Sequence, residues 1–305
     1  MKKIDPTIYE VGHILSRQDI SGEYWMTNLS PLLRQLPIMY LCIPGTINSY
    51  SYSSSLPLHK KHQNTNIMNQ LTNGIRYLTI KVYWNEAHKK WMCDDYISFI
   101  DVLRQINTFA IMHLNEVILV HLEGDDNIDS VNYISIAINH LSQQLFQREQ
   151  SDLDRLWFSL YSLAHICNSD KNIILINKKF SYHHCVFPPS VKYIQGSNVE
   201  DLNYYLPLSP ISICTSFKLP TFLLKIDWNV SRPYINCCQY YCTTPTDEET
   251  TQYIDTSHET LIEYIHSPFT SIDNLNKIFI LSVEFQCSID LLFLCMQIMD
   301  KRFYT

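Results

Sequence analysis

The apolar run from Ile38 to Ile43 stops at Pro44-Gly45 and gives way to a small polar turn, Thr46-Ile47-Asn48-Ser49. A buried strand ending in such a turn is how a βα-barrel presents chemistry at the carboxyl end of its strands. The same alternation recurs downstream. Asn66 to Leu71 has apolar positions three to four apart, as in a short helix. Gly74 to Val82 reads as a second strand, with Ile75, Tyr77, Thr79 and Lys81 on one face. Ser98 to Met112 is an amphipathic helix whose stripe is Phe99, Val102, Leu103, Ile106, Phe109 and Ala110. Glu116 to Leu122, Lys171 to Asn177 and Lys277 to Val283 are continuous apolar strands of the kind covered on both faces. Asp129 to Phe146 and Ser288 to Met299 read as helices. Alternating strands and helices predict a parallel α/β architecture. Periodicity alone leaves a closed barrel and an open doubly wound sheet both standing. Between Phe180 and Asp255 repeated prolines break the pattern.

A chain of 305 residues suits one barrel of roughly 250–300 residues or two smaller domains. The net charge of −7 argues against general attraction to nucleic acid or anionic lipid. No apolar stretch reaches the ~18 residues of a membrane span. The start, Met1-Lys-Lys-Ile-Asp-Pro, is not followed by an apolar core segment. A cytoplasmic protein whose ten cysteines are reduced thiols is therefore expected.

Several segments, in order, carry a family resemblance. They are Tyr24-Trp-Met-Thr, Cys42-Ile-Pro-Gly-Thr-Ile-Asn-Ser49, Gln70-Leu-Thr-Asn-Gly-Ile-Arg-Tyr-Leu-Thr-Ile-Lys-Val82, His113-Leu-Asn-Glu-Val, Leu153-Asp-Arg-Leu-Trp157 and Gln239-Tyr-Tyr-Cys-Thr-Thr-Pro. Together they resemble the X domain of phosphatidylinositol-specific phospholipase C and its phospholipase-like relatives. The resemblance implies a distorted TIM (β/α)8 barrel of the phospholipase C-like phosphodiesterase type, over residues 24–305 behind an N-terminal extension of residues 1–23. It also implies a phosphoric diester hydrolase ancestry in lipid metabolism or signalling. In that family a base takes the proton of the inositol 2-hydroxyl, which attacks phosphorus, and an acid protonates the leaving oxygen. Two imidazoles suit these roles because their pKa lies near working pH.

Set against that pattern, this chain departs at each chemical position. The base position is Ile47, which cannot exchange a proton. Asn48 keeps the neighbouring amide. The strand-two carboxylate position is Thr79, and the arginine position is Lys81, which keeps charge but loses the bidentate fork. Asp94 stands where the second histidine is expected, and Glu284 aligns with the carboxylate that orients the base. Three readings follow. The first is an impaired pseudoenzyme that binds a phosphorylated inositol headgroup or a protein partner through Asn48, Lys81 and Glu284. The second is a rewired phosphodiesterase, with His121 as base, Asp94 or Glu284 as acid and Lys81 as anion stabiliser. The third is an interaction scaffold with no ligand. Lys81 and Glu284 could equally form a plain ion pair, and His121 a hydrogen-bonded core histidine.

No cofactor is expected. Asn48, Asp94, Asp95 and Glu123 offer oxygen to calcium, but the missing carboxylate at Thr79 weighs against it. His183-His184-Cys185 with Cys237, Cys238 and Cys242 match no standard zinc spacing.

Overall fold

In the computed structural model of the chain, the described residues are 21–56, 61–124, 130–149, 157–180, 183–189, 192–196, 224–228, 262, 278–283 and 291–304. The first strand, β1 (Ile43–Thr46), is buried along its whole length. It lies later than the apolar run suggests. Ile38–Tyr40 is instead a 3-10 turn entered through Pro37, and Pro44-Gly45 falls inside the strand rather than ending it. The physical reason is local. Pro44 needs to lend the sheet only its carbonyl, which accepts from Arg76 N–H at 2.9 Å. Gly45 sits where a Cβ would come within 2.5 Å of Ser282 Oγ and 3.1 Å of Tyr77 Cβ, so only glycine lets β1 approach its neighbours this closely.

The remaining strands are β2 (Tyr77–Asn85), β3 (Lys90–Met92), β4 (Ile118–Gly124), β5 (Ile173–Ile176), β6 (Val186–Phe187), β7 (Lys192–Gly196), β8 (Leu224–Trp228) and β9 (Ile278–Val283). Their order in the sheet is β6-β5-β4-β2-β1-β9-β8-β7, with β3 attached to β2 outside this path. Every pairing along the path is parallel, and only β2 with β3 is antiparallel. With the hairpin strand β3 set aside, each described strand except β6 pairs with its successor in the chain, and β9 pairs with β1. An open doubly wound sheet reverses its strand order at a switch point, whereas this cyclic order is that of a singly wound barrel. Among the described residues β6 and β7 do not pair, so the ring is seen open there. The fold is the distorted α/β barrel anticipated from the sequence.

Helices α1 (Pro31–Gln35), α2 (Ile67–Thr72), α3 (Phe99–Met112), α4 (Ser130–Leu141), α5 (Trp157–Leu160), α6 (Leu163–Cys167) and α7 (Leu291–Tyr304) accompany the strands. Caps fix several starts: Asn66 accepts from Asn69 N–H for α2, and Ser98 from Asp101 N–H for α3. The predicted stripe of α3 is fully buried, from Phe99 through Ala110. Asp101 and Arg104 pair on its exposed side at 2.6 Å. Each large side chain of that stripe contributes about 1.5–3 kcal/mol of burial, which fixes the helix against the sheet.

The end of the barrel where the strands begin carries a buried polar knot. Arg76 donates through Nε and Nη2 to Glu116 Oε2 at 3.0 and 2.7 Å. Its Nη1 donates to the carbonyls of Leu71 and Ile75, and its Nη2 to those of Gly22 and Glu23. Glu116 accepts in addition from Met26 N–H, Thr27 N–H and Thr27 Oγ1. Burial pushes the Arg76 guanidinium down, and Glu116 opposes that shift. Both side chains have 0% exposure, so these hydrogen bonds are what make the buried charges tolerable. Asn172 Nδ2 extends the knot to the carbonyls of Ala110, His113 and Glu116.

Among the described residues no helix is long and apolar enough to cross a membrane. Of the cysteines in those residues, Cys42, Cys93, Cys185 and Cys295 are free and buried, and Cys167 is free and partly buried.

Candidate active-site mouth

At the opposite end the loop after β1 is held by a network of buried polar side chains. Ser49 N–H donates to Thr79 O at 2.9 Å, and Thr79 N–H donates back to Ser49 Oγ at 3.0 Å. Thr46 Oγ1 donates to Gln70 Oε1 at 2.8 Å and lies 2.7 Å from Ser49 Oγ. Gln70 Nε2 reaches the carbonyls of Ser49 and Thr65, both at 2.8 Å. Gln63 Nε2 donates to Ile47 O at 2.8 Å. Thr46, Ser49, Gln63 and Gln70 are buried, so this network replaces water around a tight polar turn. Asn48 occupies the left-handed region, with φ of 44°, a conformation that asparagine tolerates better than most residues.

Ile47 therefore sits in a well-built loop, 8% exposed. Thr79 is buried on β2 and registers against His121 on β4. Lys81 is exposed and registers against Glu123. His121 Nδ1 lies 2.8 Å from Tyr77 Oη and 3.7 Å from Glu123 Oε1. The structure thus gathers Thr79, Lys81 and His121 on adjoining strands, with Asn48 on the loop pinned to Thr79. Glu284 and its proposed pairing with Lys81 lie outside the described residues.

Asp94 follows the β2–β3 hairpin, an element absent from the sequence reading. Its Oδ1 accepts from the backbone N–H groups of Tyr96 and Ile97 at 2.8 and 2.6 Å. Its Oδ2 is buried without a hydrogen-bond partner among the described residues. Burial raises its pKa, and the two backbone hydrogen bonds oppose the rise. Burial, reinforced by Asp94, also raises the neighbouring Cys93 thiol well above its usual range. A thiol so placed stays protonated and is a poor nucleophile.

Three phenols stand near this corner. Burial drives Tyr50 strongly upward, with Cys93, Asp94 and Glu123 adding to the rise. Burial also raises Tyr52, opposed by its hydrogen bond with Gln105. Tyr83 donates to Asp95 Oδ1 at 3.0 Å and is pushed up to about 12, first by burial and then by that bond. The mouth accordingly presents neutral phenols among carboxylates, with Lys81 exposed on the same strand as Tyr83.

Tyr77 was not singled out by sequence reasoning, although alternation places it on the face of Thr79 and Lys81. Its contact with His121 joins two strands far apart in the chain. Of the suggested metal ligands, His183, His184 and Cys185 do converge: one ligand atom from each lies within 4.8 Å of the others. Among the described residues no other three His, Cys, Asp or Glu side chains do so. Cys237, Cys238 and Cys242 lie outside the described residues.

No family model and no curated protein matches the sequence. Solved structures do match in shape. The phosphatidylinositol-specific phospholipase C from Listeria monocytogenes is similar with a TM-score of 0.59 at 17% identity, covering 91% of this chain and 98% of that one. A phosphatidylinositol-specific phospholipase C structure from Staphylococcus aureus is similar with a TM-score of 0.58 at 11% identity, covering 92% and 97%. At such identities the likeness is one of fold: this chain has the barrel of the phosphatidylinositol-specific phospholipases C.

Proposed function

We propose that this chain is a phospholipase C-like barrel that engages a phosphorylated inositol headgroup at its mouth without turning it over efficiently. The observation that carries the reading is Ile47 in an intact loop. The Thr46–Ser49–Gln70–Thr79 network keeps the turn in form, so the missing base is a chemical loss rather than a collapsed scaffold. Lys81 supplies the positive charge for a phosphoryl oxygen, and Asn48 with the Tyr50 hydroxyl supplies neutral hydrogen bonding. Removal of a general base alone costs about 10²–10⁴ in rate. Loss of the second imidazole and of the guanidinium fork removes acid and charge stabilisation as well.

The test is release of water-soluble inositol phosphate from phosphatidylinositol vesicles, with and without calcium, beside vesicle co-sedimentation. The expected result is binding that weakens in Lys81→Ala, with negligible release. A double variant, Ile47→His with Asp94→His, is expected to gain turnover by up to about 10²-fold. Brisk release by the unaltered chain would overturn the reading.

A second reading rests on a different observation, the 2.8 Å contact between Tyr77 Oη and His121 Nδ1. In it Tyr77 orients His121 as base, Asp94, its pKa raised, donates the proton to the leaving oxygen, and Lys81 stabilises the phosphoryl charge. Release that survives in Ile47→Ala and disappears in His121→Ala, with folding retained, would select this reading.

A further inference from the structure

We infer that the turn entering β6 is a binding site for a thiophilic d10 metal ion, Zn²⁺ or Cu⁺, held by His183, His184 and Cys185. The site is remote from the mouth. Cys185 immediately precedes β6, and His184 O accepts from Arg148 N–H at 3.1 Å. Nearby, Phe146 N–H bonds to Ile173 O, at the first residue of β5. These contacts put the cluster at the end of the barrel where strands begin, whereas Lys81 and Glu123 lie at the other end.

The geometry of the turn brings three consecutive side chains together. Val186 N–H donates to His183 O at 2.9 Å, closing a four-residue turn with His184 and Cys185 at its centre. Cys185 N–H donates to His183 Nδ1 at 3.2 Å, which folds the first imidazole back over the turn. The two imidazoles stack with centroids 4.5 Å apart and planes at 21°. The donor atoms of all three residues fall within 4.8 Å of one another, a span that one ion can bridge with small side-chain rotations.

The chemistry of the donors selects the ion. Two imidazoles and a thiolate favour zinc and copper(I) over magnesium or calcium, which take oxygen ligands. Desolvation holds the His183 imidazole down, and the facing His184 ring adds to this. Cys185 is buried and its thiol is raised by desolvation. Forming the sulfur–metal bond therefore releases its proton to solvent, one per ion bound. His184 is exposed, which leaves an open approach and a coordination position for water in the zinc form.

The experiment uses the reduced 305-residue chain, stripped with a chelator. Co²⁺ is titrated as a probe for zinc and read by its thiolate charge-transfer band. Zn²⁺ is then added in competition, and Cu⁺ is measured against a chromophoric chelator. One equivalent of zinc or copper(I) is expected, unaffected by excess Ca²⁺ or Mg²⁺. The charge-transfer band should vanish in Cys185→Ser, and affinity should fall at least about tenfold in His184→Ala. The exposed His184 makes its variant decisive should the buried Cys185→Ser change disturb folding. Unchanged affinity in His184→Ala, a band that persists in a folded Cys185→Ser, or no stoichiometric binding of either ion would overturn the inference.

Discussion

The two ends of this barrel hold their buried acids differently. Where the strands begin, Arg76 and Glu116 are wholly buried and bonded on all sides. Where the strands end, Asp94 keeps a buried carboxylate oxygen without a hydrogen-bond partner among the described residues. The segments that most resemble phospholipase C, Gly74-Ile-Arg-Tyr-Leu and His113-Leu-Asn-Glu, supply the first end. Ile47, Thr79, Lys81 and Asp94, where the resemblance would place phosphodiester chemistry, belong to the second. On the function proposed above, the barrel keeps what its folding physics needs while its chemical end differs, which matches the division of labour between the two faces of such barrels.

The strongest test of this contrast is Glu116→Ala. It leaves the Arg76 guanidinium buried and uncompensated, and should cost about 3–5 kcal/mol in chemical denaturation. The double change Arg76→Met with Glu116→Leu should cost less than either charge removal alone, because an apolar pair leaves no stranded ion. If it costs more, the many carbonyl contacts of Arg76 outweigh its charge pairing. At the mouth, Gln70→Ala should cost about 1–3 kcal/mol through three lost buried hydrogen bonds, with the barrel otherwise intact by circular dichroism.

Smaller still is Asp94→Asn. The folded Asp94 holds its proton at pH values where the unfolded chain has lost it. Its ionisation therefore lowers stability as pH rises from the ordinary carboxylate range through the raised folded value. The stability difference, variant minus wild type, should rise across that window and level off above it. A flat difference would mean that the two backbone hydrogen bonds fully offset burial. The smallest effect belongs to Arg104→Ala. Its exposed pair with Asp101 should contribute no more than about 0.5 kcal/mol.

The sequence made the barrel readable where one periodicity dominates. The stripe of α3 is legible because helical spacing and burial coincide, and β4, β5 and β9 because strands covered on both faces are continuously apolar. The position of β1 is less legible, since Pro44 and Gly45 read as terminators until the close approach of Tyr77 and Ser282 is known. The hairpin strand β3 and the strands β6 to β8 are short and lie among polar or proline-rich residues, so no local pattern marks them. Substitutions at the mouth could be placed by resemblance, but their meaning depends on contacts across the sheet. Neither the Tyr77–His121 contact nor the stranded oxygen of Asp94 leaves any trace in spacing.

The pairing of β1 with β9 bears on how this protein is made. Among the described strands, the first to leave the ribosome has as a partner the last to be synthesised. Until that partner arrives, one flank of β1 offers unsatisfied amides and carbonyls to any extended chain nearby. Assembly of the ring is thus a late, long-range event with a high entropic barrier. Nascent chains caught short of β9 should be the species most dependent on chaperones and most prone to clump.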